Sequence, residues 1–329
     1  MKVFLTGSTG YIGNQLALAL ANNNFKVNAL VRDPRSKRIP KHENIEIFKG
    51  DICELNSIRK AIKNCDYVCH TAAFTDLKYD HVDKFYDTNV IGTKNVLEAA
   101  LESGVEKLLY TSTLSVFGPA LYHVPITEHQ PRLKSIENDY ELTKIMSEEL
   151  VLKYVDKGLP SCILNVSRVY GPGLNTYSNG VNKIIQKIMN DRILLVPSNL
   201  DVEANYVYID DVVNAQIKAL SNGDSGEHYI IGGENADYNK LFGLAKDVSN
   251  SKIKIIRINY KLIRNLIKFY ATMNSLFGSK SLVTPKVLDS LFTDRSASSK
   301  KAISNLNHKI TPLRMGIEKT VNFLQIESS

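Results

Sequence analysis

A doubly wound parallel α/β sheet with a smaller C-terminal annex is the fold this chain predicts, on three observations. Short apolar runs alternate with helix-period segments through the first half, the rhythm of βαβ units. A glycine-rich turn joins the first run to the first helical segment, and the alternation loosens after Gly171. At 329 residues and 43% hydrophobic content the chain can bury a full core. Its ordinary charged fraction of 23% argues for order nearly throughout.

The apolar runs place strands at Lys2–Leu5, Lys26–Val31, Ile45–Phe48, Asp66–Cys69, Lys107–Tyr110 and Cys162–Asn165. Helices are expected at Ile12–Asn22, Leu55–Lys63, Lys84–Ser103 and Asp139–Lys157. Gly104 stops the third as a left-handed cap, and Gly158, just before Pro160, stops the fourth. Beyond Gly171 come a GPG turn, a helix over Gly180–Asn190, and YVYIDDVVNAQIKAL, which reads as a strand followed by an Asp-initiated helix. Residues 1–170 with 204–235 are thus expected to form the sheet domain, and 171–203 with 236–329 the annex. Internal repeats and low-complexity tracts are absent.

Cys53, Cys65, Cys69 and Cys162 make neither a disulfide framework nor a metal-ligand spacing, so reduced thiols and no metal are expected. Met1 runs straight into KVFL and the glycine turn, leaving no room for a secretory leader. No stretch reaches the ~18 uninterrupted apolar residues of a spanning helix. A cytoplasmic protein is the expectation.

The net charge of +7 is concentrated. Between Val248 and Leu288 stand eight basic residues (Lys252, Lys254, Arg257, Lys261, Arg264, Lys268, Lys280 and Lys286) and no acidic one. Lys261–Phe277 has the pattern of an amphipathic basic helix, with Leu262, Leu266, Phe269, Met273 and Leu276 on one face. Such a helix either packs its apolar face inside the annex or makes peripheral membrane contact through 252–277. No nucleic-acid-binding module is recognisable, and nucleic acid is not an expected partner.

The turn TGSTGYIG carries Gly7, Gly10 and Gly13 at the opening of the first helix. Glycines belong there because the backbone must turn tightly, approach a pyrophosphate and pack helix against strand. The helix N-terminus adds N–H donors and a positive dipole end. Gly7, Thr9, Gly10, Tyr11, Ile12 and Gly13 are therefore candidate cofactor contacts, and the sheet is expected to be of the Rossmann type. The end of the second strand lies beside the adenosine ribose. Arg32 there suits a 2′-phosphate, with Arg35 or Lys37 assisting, so NADP(H) is favoured. If the strand ended one residue later, Asp33 would stand at the ribose and favour NAD(H). Asp51 and Ile52 after the third strand, and Thr71, Ala72 and Ala73 after the fourth, complete the expected cofactor contacts. His70 reads as a satisfied core histidine.

Tyr140 and Lys144 are four residues apart on one helical face. A phenol of ordinary pKa near ~10 is a poor proton carrier at neutral pH, and a nearby ammonium corrects that. The pair follows a fifth strand ending in a hydroxyl-rich run, Tyr110-Thr111-Ser112-Thr113-Leu114-Ser115-Val116-Phe117-Gly118.

Taken in order, TGxxGxxG at 6–13, Asn89-Val90-Ile91-Gly92-Thr93, the hydroxyl run, YxxxK, Val169-Tyr170-Gly171-Pro172-Gly173 and Tyr208-Ile209-Asp210-Asp211-Val212 resemble the extended short-chain dehydrogenases/reductases of the NAD-dependent epimerase/dehydratase family. Leu30-Val31-Arg32 and Gly232-Gly233-Glu234-Asn235 are most similar to dihydroflavonol-reductase-like and 3β-hydroxysteroid-dehydrogenase-like members. The likeness runs to about residue 235, and nothing after 240 aligns.

The resemblance implies Tyr140 as general acid/base, Lys144 as its modulator, both of them also as cofactor contacts with Lys144 on the nicotinamide ribose, and Thr113 as the hydroxyl that polarises a carbonyl, with Ser112 as the alternative register. Asn165-Val166-Ser167-Arg168 stands where relatives commonly have Arg-Pro, and Phe117 where they have Tyr. The implied activity is an NADP(H)-dependent oxidoreductase interconverting a carbonyl and a secondary alcohol on a small, lipophilic substrate. An NAD-retaining nucleotide-sugar epimerase is the alternative, and a non-catalytic NADP(H)-binding module the third reading. Leu114-Ser115 in place of the dehydratases' Asp-Glu argues against dehydration. Pairing through the helices that carry YxxxK implies a homodimer.

Overall fold

The computed structural model describes residues 1–76, 82–122, 124–132, 138–176, 179–276 and 285–328. Its strands are β1 (Lys2–Thr6), β2 (Lys26–Val31), β3 (Ile45–Lys49), β4 (Tyr67–His70), β5 (Lys107–Thr113), β6 (Ser161–Val166), β7 (Arg168–Tyr170), β8 (Ile193–Pro197), β9 (Glu203–Tyr208), β10 (His228–Ile231), β11 (Glu234–Asp237) and β12 (Lys254–Ile258). The helices of the first half are α1 (Tyr11–Asn22), α2 (Leu55–Ala61), α3 (Val82–Phe85), α4 (Gly92–Ser103) and α5 (Asp139–Asp156). Those of the second are α6 (Gly180–Asn190), α7 (Ile209–Asn222), α8 (Tyr238–Val248), α9 (Tyr260–Leu276), α10 (Pro285–Leu291), α11 (Lys300–Leu306) and α12 (Leu313–Ser328).

Seven parallel strands form the main sheet in the order β10-β6-β5-β4-β1-β2-β3. Strand alternation explains the two-sided cover. Val3 and Leu5 point to one face and join a core with Leu16, Leu20, Val212 and Tyr229. Phe4 points to the other and packs with Ile58, Ile62, Val96, Leu97 and Val151. The strand order reverses between β1 and β4, so the ends Thr6 and His70 flank a crevice of the kind where open α/β sheets bind ligands.

The helix expected over Lys84–Ser103 begins at Val82 and contains a π-helical stretch, Tyr86–Ile91, between α3 and α4. β5 runs three residues beyond Tyr110, which makes Thr113 its last residue. Gly104 is left-handed, with φ 62 and ψ 39, as expected of a C-terminal cap. α7 is not initiated by an Asp cap: β9 runs through Tyr208, Ile209 opens the helix, and Asp210 and Asp211 sit in its first turn. Asp211 instead accepts the Thr311 N–H and hydroxyl at 2.7 and 2.8 Å, tying the C-terminal segment back to this helix.

Outside the main sheet, β11-β9-β7 form a three-stranded sheet and β8 pairs in parallel with β12. α9 does not bury the apolar face that its sequence pattern displays: Leu262, Leu266 and Phe269 are exposed. Phe277 and Lys280 of the basic region lie outside the described residues. No described helix is long and apolar enough to cross a membrane.

Candidate active site

The glycine turn is built by close approach. Gly7 has φ +80, and a Cβ there would lie 2.6 Å from Thr71 Oγ1 and 2.7 Å from the Ala72 nitrogen. A Cβ on Gly13 would fall on the Gly7 carbonyl oxygen. The Gly10 N–H closes the turn on that carbonyl at 2.9 Å. No side chain among the described residues caps α1, which leaves the first-turn N–H groups of Tyr11, Ile12 and Gly13 as donors toward the crevice. Thr9 lies in the same turn, and the buried Ser8 hydroxyl has no partner among the described residues. This cradle, which a Cβ would fill, fits a pyrophosphate. The Tyr11 side chain turns away from it and donates to the Gly171 carbonyl at 2.7 Å, leaving only its backbone for a ligand.

β2 ends at Val31, and Arg32 follows as an exposed residue. Asp33 is turned onto Arg35, accepting its N–H at 3.0 Å and its Nε at 3.1 Å, and these bonds hold its carboxyl below the usual carboxylate range. Asn14 of α1 donates to the Arg38 carbonyl at 2.9 Å and ties this loop to the first turn of the helix. Asp51 accepts the Cys53 N–H at 3.0 Å, while Ile52 packs so closely on Gly92 that a Cβ there would lie 2.6 Å from Ile52 Cδ1. Thr71 donates to the Thr6 carbonyl at 2.7 Å; Ala72 and Ala73 continue along the crevice, half-buried. His70 is the core histidine its position suggested. It bonds Thr6 Oγ1 at 2.6 Å and Thr93 Oγ1 at 2.9 Å, and burial, aided by the Lys144 charge, pushes its pKa down to about 3.

Thr113, at the end of β5, and Tyr140, in the first turn of α5, line one cavity of about 220 Å³. The Thr113 hydroxyl accepts the Ser115 N–H at 3.3 Å and sits on the same cavity wall as the phenol. The Ser112 hydroxyl is buried elsewhere with no partner among the described residues. Burial, with the Glu141 charge, pushes Tyr140 up to about 12, while the polar Thr113 side chain works the other way. Lys144 is only 2% exposed, donates to the Thr111 carbonyl at 2.8 Å and lies 4.0 Å from the Tyr110 ring centroid. Burial pushes it down to about 7 although the Glu148 charge works the other way.

Several residues the sequence did not assign complete the site. Asn89, on the π-helical stretch, accepts the Phe74 N–H at 2.7 Å and donates to the Phe74 carbonyl at 3.1 Å and to Thr143 Oγ1 at 3.0 Å. It joins the segment after β4 to the helix that carries Lys144; its place in the Asn-Val-Ile-Gly-Thr run was the available signal, since π geometry sits beneath helical periodicity. Asn165 donates to Glu148 at 2.7 Å and to the Thr113 carbonyl at 3.2 Å, and Arg132 pairs with the same buried Glu148. Phe117 is buried beneath the Arg132 guanidinium.

On the annex side of the cavity, Arg295 pairs with Glu141 at 3.4 Å. Arg168 donates to the Tyr238 hydroxyl at 2.8 Å and lies against the Tyr206 and Tyr238 rings. No carboxylate among the described residues pairs with it.

The sequence model of the NAD dependent epimerase/dehydratase family matches residues 3–232. The chain is 26% identical over 272 residues to sterol demethylase protein B of Methylococcus capsulatus, covering 81% of this chain and 80% of that one. It is 23% identical over 328 residues to the 3-beta-hydroxysteroid dehydrogenase of Mycolicibacterium neoaurum, covering 94% and 87%. The structure of a UDP-glucose 4-epimerase from Thermotoga maritima with UDP-glucose superposes with a TM-score of 0.83 over the whole of both chains at 21% identity, and so shares the fold.

Proposed function

Since the chain belongs to the NAD dependent epimerase/dehydratase family and is an oxidoreductase of the extended short-chain type, we propose that it interconverts a carbonyl and a secondary alcohol on a small, lipophilic substrate with NADP(H). The observation that carries this reading is the meeting of the Thr113 and Tyr140 hydroxyls on one cavity, with Lys144 one helical turn behind them.

The glycine turn, Arg32 and Asp51 would hold the cofactor, which when bound would supply or accept the hydride. Thr113 orients the substrate oxygen, already fixed by its bond to the Ser115 N–H. Tyr140, protonated at neutral pH, gives its proton to that oxygen in reduction and takes it back in oxidation. Lys144 supplies the positive charge that eases phenolate formation, and its pKa near 7 makes that charge sensitive to pH in the physiological range. Arg32 supports NADP(H), because the nearby Asp33 is occupied by Arg35.

A second reading, the NAD-retaining nucleotide-sugar epimerase, is favoured by Arg168: a cation on the cavity wall without a carboxylate partner among the described residues suits an anionic substrate group. Fluorescence titration with NADPH and NADH, after checking for co-purified cofactor, separates the two. Exchangeable NADPH bound more tightly than NADH supports the reductase. Tightly retained NAD overturns it in favour of the epimerase.

A further inference from the structure

We propose that the outer face of α9, together with the outer face of the β8–β12 pair, docks on an anionic membrane surface. Leu262, Leu266 and Phe269 recur at helical spacing on one stripe of α9 and are 53%, 57% and 66% exposed, with Tyr270 beside them at 61%. The helix is held in this orientation from its other side: Arg264 bonds both oxygens of Asp289 at 2.9 to 3.1 Å, and the Tyr260 hydroxyl bonds the same carboxylate at 2.5 Å. The apolar stripe is therefore turned outward by specific contacts. One residue, Asn259, separates α9 from β12, and there the exposed Ile256 lies in register with the exposed Leu195. Exposed apolar side chains that recur along one face of an element in this way mark contact surfaces.

The charge selects the partner. Lys252, Lys254, Lys261 and Lys268 are exposed and unpaired among the described residues, and no acidic side chain occurs from 249 to 288. A second copy meeting this face about a two-fold axis would bring the lysines against one another. A lipid surface with anionic headgroups accepts both components: lysines in the headgroup layer and Leu262, Leu266 and Phe269 at the acyl boundary, with Tyr270 at the interface. The attachment is peripheral, since no described helix can span.

The test is co-sedimentation of the full chain with phosphatidylcholine vesicles containing about one-third phosphatidylserine, against pure phosphatidylcholine, at low and high salt. Acidic vesicles should bind at least ~10-fold more tightly at low salt, and the preference should shrink as salt rises. Leu266→Ser with Phe269→Ser should lower partitioning ~10-fold or more, and Lys261→Gln with Lys268→Gln should lower it on acidic vesicles alone. Circular dichroism and thermal unfolding, read in parallel, report that these surface variants fold. Absence of binding to acidic vesicles at low salt overturns the proposal. So does undiminished binding by the Leu266/Phe269 variant, or light scattering that shows this variant splitting a wild-type dimer into monomers. None of these readouts depends on turnover, so the proposal fails or stands apart from the oxidoreductase reading.

Discussion

The cofactor crevice and the annex wall of the cavity are built by opposite means. In the crevice nearly everything is backbone or strand end: Gly7 and Gly13 admit close contacts that no Cβ would allow, and Thr71 and Ala72 abut them from the neighbouring strand. The annex wall is made of side chains brought together over long sequence distances; Arg295 reaches Glu141 across 154 residues, and Tyr238 meets Arg168 across 70. The crevice demands residue types at fixed spacing, and these leave a sequence signature. The annex demands only complementary groups, which many sequences can supply from many places.

The largest expected effect falls where the two regions meet. Tyr140→Phe should lower kcat by ~10²–10⁴-fold while leaving NADPH affinity near wild type, measured by turnover and by fluorescence titration; a comparable loss of cofactor affinity would place Tyr140 in binding rather than proton transfer. Next is the linkage of Lys144 to stability. Its native pKa near 7 lies below the ordinary lysine value of 10.5, so the unfolded chain binds more protons between these pH values and stability rises with pH across that window. Denaturant midpoints of cofactor-free protein should climb from about pH 7 toward pH 10, where raised tyrosines begin to oppose the trend, and Lys144→Met should flatten the climb.

The backbone-built region should then prove the less tolerant of added atoms. Gly13→Ala is expected to cost ~1–3 kcal/mol by thermal denaturation and to weaken cofactor binding, because the Gly7 carbonyl occupies the space required. Arg32→Ala should reduce NADPH affinity ~10–100-fold with little change for NADH; equal loss of both would remove the 2′-phosphate assignment. The smallest effect belongs to the annex surface: Arg264→Ala breaks an exposed pair and should cost under ~1 kcal/mol.

The doubly wound sheet was legible in the sequence because buried parallel strands read as apolar runs and the βα turn required its glycines. The core role of His70 was legible too. Strand ends leave a weaker trace. Helical and strand periodicity does not mark where pairing stops, so the apolar run ends at Tyr110 while β5 continues to Thr113, whose hydroxyl owes its place to the strand's last residues. Asn89 escaped assignment because one π-helical stretch rotates its side chain out of the helical register. The outward stripe of α9 could not be foreseen: the same pattern serves a packed helix and a docking one, and the contacts to Asp289 decide between them.

By itself the sequence determined the sheet, the glycine cradle and the Tyr140–Lys144 spacing, since each is a local rule of backbone geometry or helical pitch. Only the tertiary structure decided what faces the cavity from the annex, that Arg295 meets Glu141 there while Arg168 meets the Tyr238 hydroxyl, and that an apolar helix face points outward. Those outcomes depend on which distant segments meet, and pairwise complementarity over such distances leaves no periodic trace in a single chain.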